Sequence, residues 1–247
     1  MSNRIATSSL LGLFSLVLSA NASGIVSTSG QVTVLNTPPA SVAQGGLQSN
    51  TTAYLFQENQ LTLASDLNVD ISQSGTYLTV ASLTPGAIGA GTPVNVYMLE
   101  SNPSSVPPKP NDFRTYEGSF TFDSPVLGIL VEAASLRNTD ALLGAPGTVY
   151  PPASDTFSGL DLNSASCTGS SCGNDGVILS VNGNTVSFGF VTNFSEDQIR
   201  IITQATPEPS GIGLMLLALL PLLAIKLGRP AMSRRGWTAL RGNHETF

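Results

Sequence analysis

The chain is nearly devoid of histidine and poor in positive charge. Its 247 residues hold one His, His244, and two Cys, Cys167 and Cys172. Charged residues make up 11% of the whole, less than half of the roughly 25% usual in globular chains. Each shortage removes a class of function. With no histidine between Ser23 and Thr206, neither a Ser-His-Asp nor a Cys-His catalytic arrangement can be assembled there. A cysteine-based metal site lacks its further ligands for the same reason. In that span only Lys109, Arg114, Arg137 and Arg200 are basic, against fourteen acids. So acidic a body argues against a nucleic-acid partner, because phosphate binding needs clustered Lys and Arg.

What is present suits a β-rich exported domain. Hydrophobic residues reach 41%, with 24 Gly and 16 Pro, a mixture for short strands and many turns rather than for disorder. Met1 to Ala22 has the three parts of a signal peptide. Arg4 is its charged start, Leu10–Leu18 its apolar centre, and Ala20-Asn21-Ala22 a small-x-small cleavage site. Export through the Sec translocase and removal of the leader by signal peptidase are expected. An oxidising destination then favours a local disulfide between Cys167 and Cys172, which are separated by Thr-Gly-Ser-Ser.

Residues 23–205 read as a run of strands. Gln31–Leu35, Leu61–Leu63, Leu67–Ile71, Thr76–Val80, Pro93–Leu99, Ser119–Asp123, Val126–Val131 and Gln198–Thr203 are β-branched or alternate with period two. Val177–Val181, Asn182-Gly183 and Thr185–Phe190 spell a hairpin whose turn is expected at Asn-Gly. Val126–Val131 is apolar on both faces, which predicts a central strand. Ala133–Leu143 is the one helix candidate. The expected fold is therefore all-β, a single antiparallel β-sandwich of the jelly-roll kind.

Chemistry is harder to find. Asp155, Asp161 and Asp175 lie in a polar stretch and are oxygen donors of the type that binds calcium, although solvated surface acids are the commoner case. No metal, cofactor or catalytic residue is otherwise indicated. A glycosidase needs two defined carboxylates, and no spacing among the fourteen acids selects a pair. Tyr97, Tyr116 and Tyr150 could stack on a sugar, but core or rim packing is the more usual fate.

The tail is more explicit. Thr206-Pro207-Glu208-Pro209-Ser210 precedes an apolar run, Ile212–Leu227. A helix of sixteen residues spans about 24 Å, short of the roughly 30 Å hydrocarbon core unless its flanks contribute. Arg229, Arg234, Arg235 and Arg241 follow and would hold the C-terminus in the cytoplasm. Pro207-Glu208-Pro209, a short apolar helix and an arginine-bearing end resemble the PEP-CTERM sorting signal of exported bacterial proteins. That resemblance covers about 206–235 and leaves 236–247 as a short cytoplasmic tail. It implies an exosortase, a membrane transpeptidase-like cysteine enzyme, as partner. It also implies an inner-membrane precursor with a periplasmic ectodomain, then release to the cell surface or beyond in a bacterium that makes exopolysaccharide and biofilm. Gly118–Ile129, Thr139–Gly144 with Thr148–Pro151, and Asp197–Arg200 are similar to uncharacterised ectodomains carried by such tails, which implies no activity.

The expectation is thus a non-enzymatic surface or matrix protein. A carbohydrate-binding module that retains exopolysaccharide is the alternative, and a glycoside hydrolase the more distant one.

Overall fold

The computed structural model describes residues 24–104, 114–155, 158–160, 178–192 and 196–205, without the side chains of 178–180. All of these belong to one compact unit, Met1–Ala205. The expected membrane helix 212–227 lies outside the described residues. Among the described residues no helix is long and apolar enough to cross a membrane.

The fold is all-β, with twelve strands and one α-helix among the described residues. They are β1 Ile25–Gly30, β2 Val32–Leu35, β3 Ala53–Thr62, β4 Leu67–Val69, β5 Gly75–Tyr77, β6 Gly86–Ile88, β7 Pro93–Ser101, β8 Arg114–Phe122, β9 Val126–Leu130, β10 Ile178–Asn182, β11 Thr185–Thr192 and β12 Asp197–Gln204, with α1 spanning Ala133–Leu143. One sheet has the order β1-β8-β11-β10-β5 and the other β2-β3-β7-β12-β9; β4 and β6 pair separately. Every named pair is antiparallel except β2 with β3. That exception departs from the all-antiparallel expectation. It follows from the path of the chain, which leaves the first sheet at Gly30 and enters the second at Val32. Gly30 makes this crossing with φ of 74°, and a Cβ there would lie 2.4 Å from the Glu117 carbonyl oxygen.

One apolar core takes side chains from both five-stranded sheets. Tyr116, Phe120, Phe122, Val186, Phe188 and Phe190 of the first meet Leu55, Tyr97, Leu99, Ile199 and Ile201 of the second. Phe120 and Phe122 stand edge to face with centroids 5.5 Å apart, a favoured aromatic geometry. In β11, Val186, Phe188 and Phe190 point inward and Thr185, Ser187 and Gly189 outward, the alternation expected of a half-buried strand.

The far face of the second sheet is covered as well. There α1 sets Leu136 and Leu143 against Val94, Val96, Leu130 and Ile202. The helix occupies the expected residues, but its N-terminal cap comes from elsewhere. Asp70, next to β4, accepts from the Val131 and Glu132 amides at 2.8 and 3.0 Å and from the Ser135 hydroxyl at 2.7 Å. This satisfies backbone donors that the helix itself cannot.

Two expectations are corrected. β9 is an edge strand rather than a central one. It is apolar on both faces because Ile129 and Val126 pack into the shared core with Ile71, whereas Leu130 and Leu127 pack with Val69 and the α1 residues Leu136 and Leu143. The hairpin turn is Gly183-Asn184 rather than Asn182-Gly183, since Asn182 pairs with Thr185 within the ladder. Gly183 takes the positive φ, 62°.

Candidate functional site

Two polar clusters lie side by side on the helix-covered face of the second sheet, and the same two strands build both. On β12 Ile199 and Ile201 enter the shared core, so Gln198 and Arg200 point to the other face. On β7 Tyr97 and Leu99 enter the core, which leaves Met98 and Glu100 on that face. The register places Arg200 opposite Met98 and Gln198 opposite Glu100. Asn102 and Glu196 continue the two rows just beyond the strand ends.

In the first cluster every charge is answered. Arg200 is fully buried. Its Nε donates to Glu58 Oε2 at 2.7 Å and its Nη2 to Glu58 Oε1 at 2.9 Å, a bidentate pair. Nη2 also reaches Asp140 at 2.8 Å, and Nη1 donates to the Leu136 carbonyl and the Thr139 hydroxyl at 3.0 and 2.8 Å. Tyr150 donates its hydroxyl to Glu58 at 2.6 Å, accepts from the Ala145 amide, and turns its ring under the guanidinium with 5.5 Å to the centroid. Burial alone would lower the Arg200 pKa, but Glu58 and then Asp140 more than offset that, and the net shift is upward. Burial first, then the Glu58 charge, pushes the Tyr150 phenol above its usual range. Glu58 reaches this position because it sits where the β3–β7 register slips, between Gln57 and Asn59; such bulges re-aim side chains. The cluster unites Thr139, Asp140, Tyr150 and Arg200 with Glu58. Its role is to clamp α1 to the sheet.

In the second cluster the charges have no such answer. Glu100 and Glu196 are fully buried. Neither oxygen of either carboxyl has a partner in hydrogen-bonding geometry, nor has Asn102 Oδ1, although the Gln198 and Asn102 amides stand beside Glu100 and the Gln44 amide and the Asp155 carboxyl beside Glu196. The segment 41–46 closes over them, with Gln198 Nε2 donating to the Val42 carbonyl at 2.7 Å and Asn102 Nδ2 to the Ala43 carbonyl at 3.5 Å. Burial first, then the Glu196 charge, raises the Glu100 pKa well above its usual value, while the Gln198 and Asn102 amides oppose weakly. Burial likewise lifts Glu196 to about 8, with the Asp155 carboxyl beside it adding to the shift.

The sites expected from the sequence fare differently. Asp155 stands at the margin of the second cluster, but Asp161 and Asp175 lie outside the described residues. So do Cys167 and Cys172, the cleavage residues Ala20 and Ala22, the motif Pro207, Glu208 and Pro209, and Arg229, Arg234 and Arg235. Tyr97 and Tyr116 are buried in the core, with burial as the chief cause raising the Tyr97 pKa to about 12. Tyr150 belongs to the Arg200 cluster, so none of the three forms a stacking platform. No local pattern in the sequence distinguishes Glu58, Glu100 or Glu196 from the other acids. The nearest signals are a lone Arg200 between Ile199 and Ile201, and the place of Glu100 at the end of the apolar run Val94–Leu99.

Elsewhere the features are modest. A shallow cavity of about 140 Å³ between Ile71, Pro125, Val126, Gly128 and Val181 has no ionisable lining residue. The outer face of the first sheet is a field of hydroxyls. Ser29, Ser119 and Ser187 form one row across three strands, and Ser27, Thr121 and Thr185 the next. Ser29 and Ser119 are hydrogen-bonded at 2.8 Å, Thr121 and Thr185 at 3.0 Å. No family model, no curated protein and no solved structure matches this chain.

Proposed function

We propose that this is a non-enzymatic exported protein of the bacterial surface or extracellular matrix, whose β-sandwich ectodomain, jelly-roll-like in character, is delivered by a C-terminal sorting signal. One observation carries the reading: Pro207-Glu208-Pro209, the apolar run Ile212–Leu227 and the arginines after it follow a leader-like N-terminus in the same chain. The proposed partners are the Sec translocase, signal peptidase, the membrane and an exosortase. The fold fits a passive load, because its fully paired Arg200 cluster holds a helix in place and offers no reacting group. Mass spectrometry of the mature protein from its native host tests the proposal. The expected product starts after Ala22 and ends near Pro209. A protein intact from Met1 through Phe247 would overturn it.

A second reading, retention of exopolysaccharide, draws support from the uncharged hydroxyl rows of the first sheet, which offer donors and acceptors to an extended glycan. Binding of the full-length chain to the host's own polysaccharide, weakened by Ser119→Val, is its test; no binding to that polysaccharide counts against it.

A further inference from the structure

The geometry points to a divalent-cation site of the calcium class at Glu100, Asn102 and Glu196. The inference does not rest on the proposed function. Its basis is an imbalance of donors and acceptors. Five buried oxygen atoms, two from Glu100, two from Glu196 and one from Asn102, share a small patch and have no partner in hydrogen-bonding geometry; the Gln198 and Asn102 amides beside Glu100 and the Gln44 amide beside Glu196 are neutral donors that offset their burial only in part. The patch is defined by register: Gln198 lies opposite Glu100, so Glu196 and Asn102 fall one step further along their rows. Directly opposite side chains in such a ladder have Cβ atoms about 5 Å apart, and row neighbours are about 7 Å apart.

Burying a carboxylate without a partner is strongly unfavourable, and here two do so together. None of the groups acting on either carboxyl is cationic. Arg200, the closest cation along β12, is already held by Glu58 and Asp140. Arg137 of α1 donates to the Asp155 carbonyl at 2.6 Å. A hard cation resolves the imbalance. Calcium accepts six to eight oxygens, including bidentate carboxylates, amide oxygens and backbone carbonyls, in adaptable geometry. Among the described residues no three Asp, Glu, His or Cys side chains group to hold a metal. The site inferred here needs only two carboxylates, with Asn102 Oδ1 and backbone or water oxygens completing the shell. Asp155, at the margin, would sit in reach of a bound water.

The test is thermal unfolding of the purified full-length chain at pH 7.5, stripped with EDTA and then titrated with CaCl2. Binding to the folded state alone raises Tm by about 5–10 °C once calcium exceeds its Kd about a hundredfold. MgCl2 should do much less, because magnesium demands tighter octahedral geometry. Glu196→Gln and Glu100→Gln should each abolish most of the calcium increment. If Glu100→Gln does not fold, Glu196→Gln still decides, because residue 196 precedes the β12 ladder. A stripped protein whose Tm ignores CaCl2 overturns the inference. So does an increment that survives intact in Glu196→Gln, which would put the calcium elsewhere.

Discussion

Arg200 and Glu100 stand on neighbouring strands, one cross-strand step apart along the same face, yet their surroundings are opposite. Around Arg200 each donor of the guanidinium finds an acceptor, and Glu58 is gripped from two sides. Around Glu100 there is a second carboxyl and no cation, and the Gln198 and Asn102 amides offset its burial only in part. The sheet geometry is shared, so the difference comes from what packs on top. Helix α1 brings Thr139, Asp140 and the Leu136 carbonyl to Arg200. The segment 41–46 brings the Val42 and Ala43 carbonyls, which take up the Gln198 and Asn102 amide hydrogens, and a single neutral donor toward Glu196, the Gln44 amide. Burial of polar groups is thus no single quantity. The first cluster is structure completed, and the second is structure that awaits a proton or a cation.

The largest effect should come from breaking the completed side. Arg200→Met leaves Glu58 buried without its partner and should cost about 3–5 kcal/mol. Urea unfolding would read it as a lower midpoint with little change in slope. The double variant Arg200→Met/Glu58→Gln should recover part of that loss, since a neutral side chain no longer needs the cation. A single and a double variant of equal stability would show that the pair contributes only its packing.

On the other side the sign reverses. Glu196 ordinarily titrates near 4.5, and burial in the fold lifts it to about 8. A carboxyl with a raised folded pKa keeps its proton longer in the fold than in the unfolded chain. The unfolded state therefore binds fewer protons between those two values, and stability falls as pH rises from 4.5 to 8, levelling off above. Glu100 acts in the same direction. In EDTA, Tm should drop steadily from pH 5 to pH 8, and Glu100→Gln should flatten that slope and melt above the parent at pH 8. Removing a charge would then destabilise one cluster and stabilise the other. A parent Tm that is flat over this range would show that the two buried acids do not control stability.

How much of this could be read from the residues depends on the range of the interactions. Helix α1, the first-position Pro93 of β7 and the inward row Val186, Phe188 and Phe190 were legible because each is a local pattern. β3 was missed over Ala53–Gln60, although it is the longest strand. Its first residues are buried on both faces and its alternation is interrupted at Glu58, so no period of two appears. β9 was misplaced to the sheet centre because apolar character on both faces reports coverage, and the cover here is Val69 and Ile71 rather than two strands. The polar clusters are further still from the local sequence. Glu58 and Arg200 are 142 residues apart, and Glu100 becomes exceptional only once 41–46 closes over it. Counting acids gave the charge of the body but could not say which two acids are denied water.

The smallest of the three effects concerns the cover itself. Asp70 holds the entry to α1 through the Val131 and Glu132 amides and the Ser135 hydroxyl, while the side chain of the flanking Glu132 does not cap it. Asp70→Ala should cost about 0.5–2 kcal/mol, the usual range for a lost cap, and Asp70→Asn should recover part of that by keeping an acceptor. Because α1 answers Arg200 and the segment 41–46 covers Glu100, the loss should add to the first cluster alone. Asp70→Ala combined with Arg200→Met should therefore cost less than the sum of the two, as residues serving one contact do. Asp70→Ala should leave the calcium increment of the second cluster unchanged. If the cap variant also erased that increment, the two clusters would be one cooperative unit, and the division drawn between them along β12 would fail.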